Sequence, residues 1–188
     1  MSHRFPLIPP NDRTPAQRVA DDMLAGVIAK HPANIYKDEN GCFIGPYAVL
    51  MYNPELIAPW ISLARSVLQQ DCLSAREREL VVLAVVAVYD APYILYAHEL
   101  LAEQVGLSQE QISSGAKGQT PSDLTHPELV VYQTSLELAE SRKQLSETSW
   151  ARGSEVLGRE KTAAVAHVVA GYVYTAILLN VGAVGAPK

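Results

Sequence analysis

Where the apolar positions of this chain are periodic they repeat at helical spacing, and the alternation that marks strands is scarce. Trp60, Leu63, Ala64, Val67 and Leu68 form one such face on a helix predicted to open at Pro54 and run to about residue 70. Two later stretches, 80–88 and 165–181, are apolar nearly all round, which requires a buried helix in a multilayer bundle or an interface. The reading is all-α, one domain over 1–188 with an N-terminal arm over about 1–13.

Polar punctuation divides the pattern. Thr14-Pro15 offers an N-cap and an N1 proline for a helix to about residue 30. Ser74 with Glu77, Ser108 with Gln111 and Thr125 with Glu128 each have the capping-box spacing, which predicts three further helix starts. The first of these helices runs to about residue 88, followed by a break over 89–92 and a helix from Pro92 to about residue 104, ended by Gly106. Further helices are expected over about 108–116, 127–142, 147–157 and 160–181. Residues 31–52 read as a loop ending in a short helix.

The second half faintly echoes the first. Arg159-Glu160 aligns with Arg78-Glu79, each followed by a Val/Ala run and a tyrosine-rich stretch, while His98 falls on Leu179. A duplicated helical hairpin and a chance match both explain this.

Residues 162–187 carry no Asp, Glu, Lys or Arg, and exceed the roughly 20 residues that cross a bilayer. Three glycines, four polar residues spread along the segment and the lack of flanking basic clusters favour a buried helix of a soluble oligomer over a span. No membrane partner is expected.

Composition narrows the function. The chain is 48% hydrophobic and 19% charged with a net charge of -5, so it lacks the basic face a nucleic-acid partner demands. The two cysteines, Cys42 and Cys72, match no metal-ligand or Cys-x-x-Cys spacing and read as free thiols in a reducing, cytoplasmic setting. The N-terminal residues contain no apolar signal core. His31, His126 and His167 lack a partner pattern and read as structural.

The candidate chemistry lies in RERELVVLAVVAVYDAPYILYAHE, residues 76–99. Glu79 and His98 are the polar pair of this apolar stretch. A carboxylate and an imidazole meeting in an apolar interior can exchange a proton with a substrate.

The chain resembles the carboxymuconolactone decarboxylase and alkylhydroperoxidase D-like superfamily. The resemblance is carried by Asn53-Pro54-Glu55-Leu56, by Ser74 with Arg76-Glu77-Arg78-Glu79-Leu80, by Tyr93 and His98, by Gly106-Leu107-Ser108, and upstream by AKHPANIY (29–36) and GPYAVLMYNPEL. It implies the alkylhydroperoxidase D-like multi-helix bundle. In the peroxidase branch, a Glu is followed by Cys-x-x-Cys and a His. Glu79 and His98 match that pattern, but Ala91 and Ile94 stand at the thiol positions, and thiol peroxidase chemistry needs both thiols.

What the resemblance leaves is the decarboxylase branch, which acts on small carboxylated lactones without metal or cofactor. Such a site needs a donor to a developing enolate and a proton source at carbon. His98 is expected as general acid/base, with Glu79 holding its tautomer. Tyr93 and Tyr96 are candidate phenolic donors, Arg78 a candidate partner of a carboxylate, and Asn53 a ligand or the cap of the helix at Pro54. Many relatives carry an acidic residue and a Trp after the tyrosine, where this chain has Ile94 and Leu95, so a bulkier, less charged substrate is expected.

The expected function is therefore a cofactor-independent decarboxylase or lyase/isomerase acting on a small keto acid or lactone, in natural-product or aromatic-acid metabolism. A template protein that shapes a reactive intermediate and a structural oligomer without catalysis are the alternatives. No metal and no cofactor is expected. The apolar helices imply a homo-oligomer, and the resemblance implies a trimer or hexamer.

Overall fold

The computed structural model describes residues 4–28, 36–141 and 143–187. The motif residues 29–35, including His31, and the predicted helix ends at 30 and 142 lie outside the described residues. Among the described residues nine α-helices follow in order: α1 (Pro15–Ile28), α2 (Pro46–Leu50), α3 (Ile57–Leu68), α4 (Ala75–Val88), α5 (Pro92–Gln104), α6 (Gln109–Gly115), α7 (His126–Glu140), α8 (Glu147–Val156) and α9 (Gly158–Gly182). The single described β element is an isolated antiparallel bridge between Lys37 and Phe43.

The predicted capping boxes are all present. Ser74, Ser108 and Thr125 each close a reciprocal capping box with Glu77, Gln111 and Glu128. Thr14 and Gln17 do the same at α1, each backbone amide donating to the other's side chain. Pro54 opens a 3-10 turn, Pro54–Leu56, before α3 begins.

α4 is the centre of the bundle because every one of its faces is occupied. Val81 and Val85 pack with Val131, Val165 and Val168 of α7 and α9. Leu80, Leu83 and Ala84 pack with Ala102, Ile112 and Tyr132. Val82 joins Ala91, Tyr93, Ile94, Ala176 and Leu179. Residues 80–85 are each at most 1% exposed, which explains why the sequence shows no polar face there.

The first helices enclose a separate apolar cluster of Ala20, Leu24, Phe43, Leu50, Met51, Ile57 and Ile61. The N-terminal arm returns to it: the Tyr52 hydroxyl donates to the Pro6 carbonyl at 2.6 Å. Behind this cluster, Asp21 accepts from both Arg13 and Lys37, and Arg13 also donates to the Gly41 carbonyl at 2.6 Å.

Two expectations change. On α3 the face that packs inward is set by Ile57 and Ile61, while Leu63 is 62% exposed and Leu68 is also exposed. The second-half echo is not a hairpin, because α9 runs unbroken through the register at which α4 and α5 are separated by Tyr89 to Ala91. Without an equivalent of Asp90-Ala91-Pro92, nothing interrupts its hydrogen-bond ladder. α9 is long and apolar enough to cross a membrane by length and composition, with 39% of its most apolar window buried inside the protein.

Candidate functional site

Glu79 stands on the fifth residue of α4, whose start is fixed by the Ser74 capping box. His98 stands on α5, begun by Pro92 at its first position. The break between the helices folds α5 back along α4, and His98 Nδ1 comes to 2.8 Å from Glu79 Oε2. Their side chains remain 16% and 12% exposed, so the pair is partly desolvated and not sealed. A carboxylate accepts only, so Nδ1 carries the proton and Nε2 points away from Glu79.

Nε2 meets a residue that sequence reasoning missed. The Tyr172 hydroxyl, from the middle of α9, is hydrogen-bonded to it at 3.1 Å, and the two rings meet edge to face at 5.0 Å between centroids. Burial pushes the Tyr172 phenol up, and the charge of Glu79 and the nearby Tyr47 push it further, while Arg78 opposes the rise. The phenol is therefore held protonated. The tyrosine-rich stretch of α9 is visible in the sequence, but nothing there says which tyrosine reaches His98.

Tyr47, the other missed residue, is held by α2 with its ring 6.0 Å from Trp60, and burial pushes its phenol up to about 12. Tyr93 is buried in the core, with its hydroxyl end pressed over the Gly45 turn. Burial, then Tyr47 and Tyr96, raise its phenol as well. The Tyr96 ring lies 6.3 Å from that of Tyr93. Four phenols from α2, α5 and α9 thus gather on the His98 side of α4.

Arg78 meets backbone and not the carboxylate expected for it. Arg78 donates to the Leu73 carbonyl at 2.6 Å and the Gln70 carbonyl at 3.2 Å, anchoring its guanidinium on the loop before α4, where backbone acceptors compete successfully for it. Its described hydrogen bonds go to these carbonyls and not to a carboxylate, and its charge is felt at Tyr172. Arg76 leaves the site altogether, paired with Glu128 at 2.7 Å. Asn53 is exposed at the N-cap of the 3-10 turn, and its side chain makes no capping hydrogen bond.

Ala91 and Ile94, at the thiol positions of the peroxidase pattern, are core residues at most 2% exposed. The free cysteines are elsewhere: Cys42 is buried, with its thiol pushed up by burial and by Asp38, and Cys72 packs on the α4–α7–α9 cluster. Two surface cavities, of about 430 and 460 Å³, are lined by α4, α7 and α9 and by α1 and α3 respectively, and neither is lined by Glu79, His98 or Tyr172.

An all-α bundle carrying a carboxylate–imidazole pair where its central helix meets the next one is the class that these features define. Residues 54–122 match the Carboxymuconolactone decarboxylase family, a segment that contains Glu79, Tyr93, Tyr96 and His98 and ends before Tyr172. This match supports assigning the chain to the carboxymuconolactone decarboxylase superfamily. A comparison with curated proteins found no match.

Proposed function

We propose that the protein is a cofactor-independent decarboxylase or lyase/isomerase of a small keto acid or lactone, working by acid/base proton transfer through His98. The observation that carries this reading is the 2.8 Å contact between His98 Nδ1 and Glu79 Oε2 on largely buried side chains. Glu79 fixes the tautomer and stabilises the imidazolium whenever His98 holds a second proton. The apolar Ala91 and Ile94 support non-redox chemistry, since a peroxidase route lacks its thiolate and resolving thiol there.

The test is turnover of acetoacetate and carboxymuconolactone by the wild type and by the His98→Ala and Glu79→Gln variants. His98→Ala is expected to lose roughly 10²–10⁴-fold in kcat, the usual span for a general acid/base. Unchanged rates in both variants overturn the reading.

A second reading, a non-redox ligand-binding or template protein, is supported by the groove lined by Tyr89, Leu138, Glu140, Ser141, Ala170 and Val173, which His98 does not line. Binding of anilinonaphthalene sulfonate that is lost in Ala170→Leu and indifferent to His98→Ala favours it. For the same chain we propose a soluble, cytoplasmic homo-oligomer. Support comes from an exposed stripe on α9, Ala163, His167, Ala170, Tyr174, Ile177 and Val181, at the alternating three- and four-residue spacing of a helix seam. Light scattering that shows a monomer at all working concentrations contradicts that state.

A further inference from the structure

We infer that Tyr172, and not His98, is the residue that exchanges the proton with substrate, so that the site is a Glu79–His98–Tyr172 relay whose working end is the phenolic oxygen. This rests on the acid/base reading above and assigns the atom that the reading leaves open.

The His98 imidazole sits between two partners. Both of its nitrogens are taken within the protein, Nδ1 by Glu79 at 2.8 Å and Nε2 by Tyr172 at 3.1 Å. A ligand that reaches for either nitrogen must displace a hydrogen bond, one of them to a carboxylate. The phenol is different, because a hydroxyl has one donor and two acceptor positions and His98 uses one of the three. Tyr172 is also placed to feel both signs of charge, with Glu79 raising and Arg78 lowering its proton affinity.

The step balances with the groups present. When His98 is protonated on both nitrogens, Nε2–H donates to the Tyr172 oxygen and the phenolic hydrogen faces the substrate. In a β-keto acid the bond between the α-carbon and the carboxylate breaks. Its electron pair moves into the adjacent carbonyl, giving an enolate and CO2. The Tyr172 proton passes to the enolate carbon while the Nε2 proton passes to the Tyr172 oxygen. His98 is left neutral on Glu79 and regains its proton from solvent. In an isomerisation the same relay runs backwards first, the substrate C–H proton going to the Tyr172 oxygen and the phenolic proton to Nε2.

Tyrosine merely orienting the imidazole predicts different behaviour from tyrosine as the terminal group. The experiment measures decarboxylation of acetoacetate and carboxymuconolactone, and deuterium exchange from D2O into the α-carbon of levulinate, with Tyr172→Phe, His98→Ala and the double variant. Circular dichroism checks that each is folded. The relay expects Tyr172→Phe to lose at least about 100-fold in kcat with KM little changed, and the double variant to be no worse than the poorer single variant. It also expects 3-fluorotyrosine at position 172, a more acidic phenol, to change kcat at neutral pH with KM little changed.

Tyr172→Phe retaining more than about a tenth of kcat, or an unchanged kcat with 3-fluorotyrosine, overturns the relay while a dead His98→Ala preserves the acid/base reading. Wild-type protein inactive on all three probes overturns both.

Discussion

The Tyr172 hydroxyl and His98 Nε2 are 3.1 Å apart although 74 residues separate them in the chain. A phenol from the last helix thereby completes a hydrogen-bonded line that starts at the Glu79 carboxylate on the central helix. The residues within the matched family segment supply two of its three members.

Buried phenols link this arrangement to alkaline stability. Tyr47 and Tyr132 are pushed up from 10 to about 12, mainly by burial, and Tyr93 and Tyr172 are raised further. A group whose folded pKa lies above its unfolded value stabilises the protein fully below the unfolded pKa and loses that contribution as pH rises through the folded one. Unfolding is expected to set in between pH 10 and 12. Tyrosinate absorbance in that window is expected to be lower in the native protein than in guanidinium. Coincident titrations in the two solvents contradict the burial of these rings.

Gly45→Ala is expected to be among the most damaging small substitutions. Gly45 has φ +63°, and a β-carbon there stands 2.2 Å from Tyr93 Cζ and 2.6 Å from its hydroxyl oxygen. Left-handed backbone and a clash with a buried ring act together, for a loss of roughly 3 kcal/mol or more. Adding Tyr93→Ala to the variant removes the clash but not the backbone strain. Urea unfolding of the two therefore separates the contributions, and an unaffected Gly45→Ala midpoint refutes the close approach.

At acid pH the Arg76–Glu128 pair sets a limit. Burial alone raises Glu128, but hydrogen bonds from Thr125 and Arg76 outweigh it and hold the carboxyl below its ordinary 4.5. The contribution is therefore present above pH 4.5 and lost as pH falls through the lower folded value. Glu128→Gln is expected to cost about 1 kcal/mol at neutral pH. The gap to wild type should close below pH 4.5, and a gap constant with pH would show that the charge is irrelevant.

Asp21 is the shared acceptor of Arg13 and Lys37, and the Arg13 side chain is almost wholly buried. Asp21→Asn leaves a buried guanidinium without its counter-charge and is expected to cost roughly 3 kcal/mol, read by chemical denaturation. Arg13→Met paired with Asp21→Asn should recover part of that loss, since the stranded charge goes too. A double variant less stable than Asp21→Asn alone contradicts this account.

Local chemistry made most of the helices legible. Hydroxyl and Glu or Gln at capping-box spacing mark starts that depend on neighbours three residues away, and all three predicted boxes formed. Glu79 and His98 were readable for a related reason: the break before Pro92 returns α5 to α4, so their meeting is a property of one hairpin. Tyr172 depends on how α9 docks against that hairpin, a long-range choice that helical periodicity does not encode. The exposure of Leu63 has the same origin, because an apolar residue on a helix records that a face exists and not which neighbour will cover it. The arginines show competition: Arg78 found backbone carbonyls nearer than Glu79, and Arg76 found Glu128.

The position of Tyr172 on α9 also bears on the order in which the site comes into being. Carboxylate and imidazole come from adjacent helices and can pair as soon as α5 folds back, whereas the phenol arrives only after α6, α7 and α8 have been made and α9 has closed on the bundle. Contacts of long sequence separation pay their loop-closure cost late. During synthesis the nascent protein therefore holds an incomplete hydrogen-bonded line, and the line becomes continuous only when the final helix is in place.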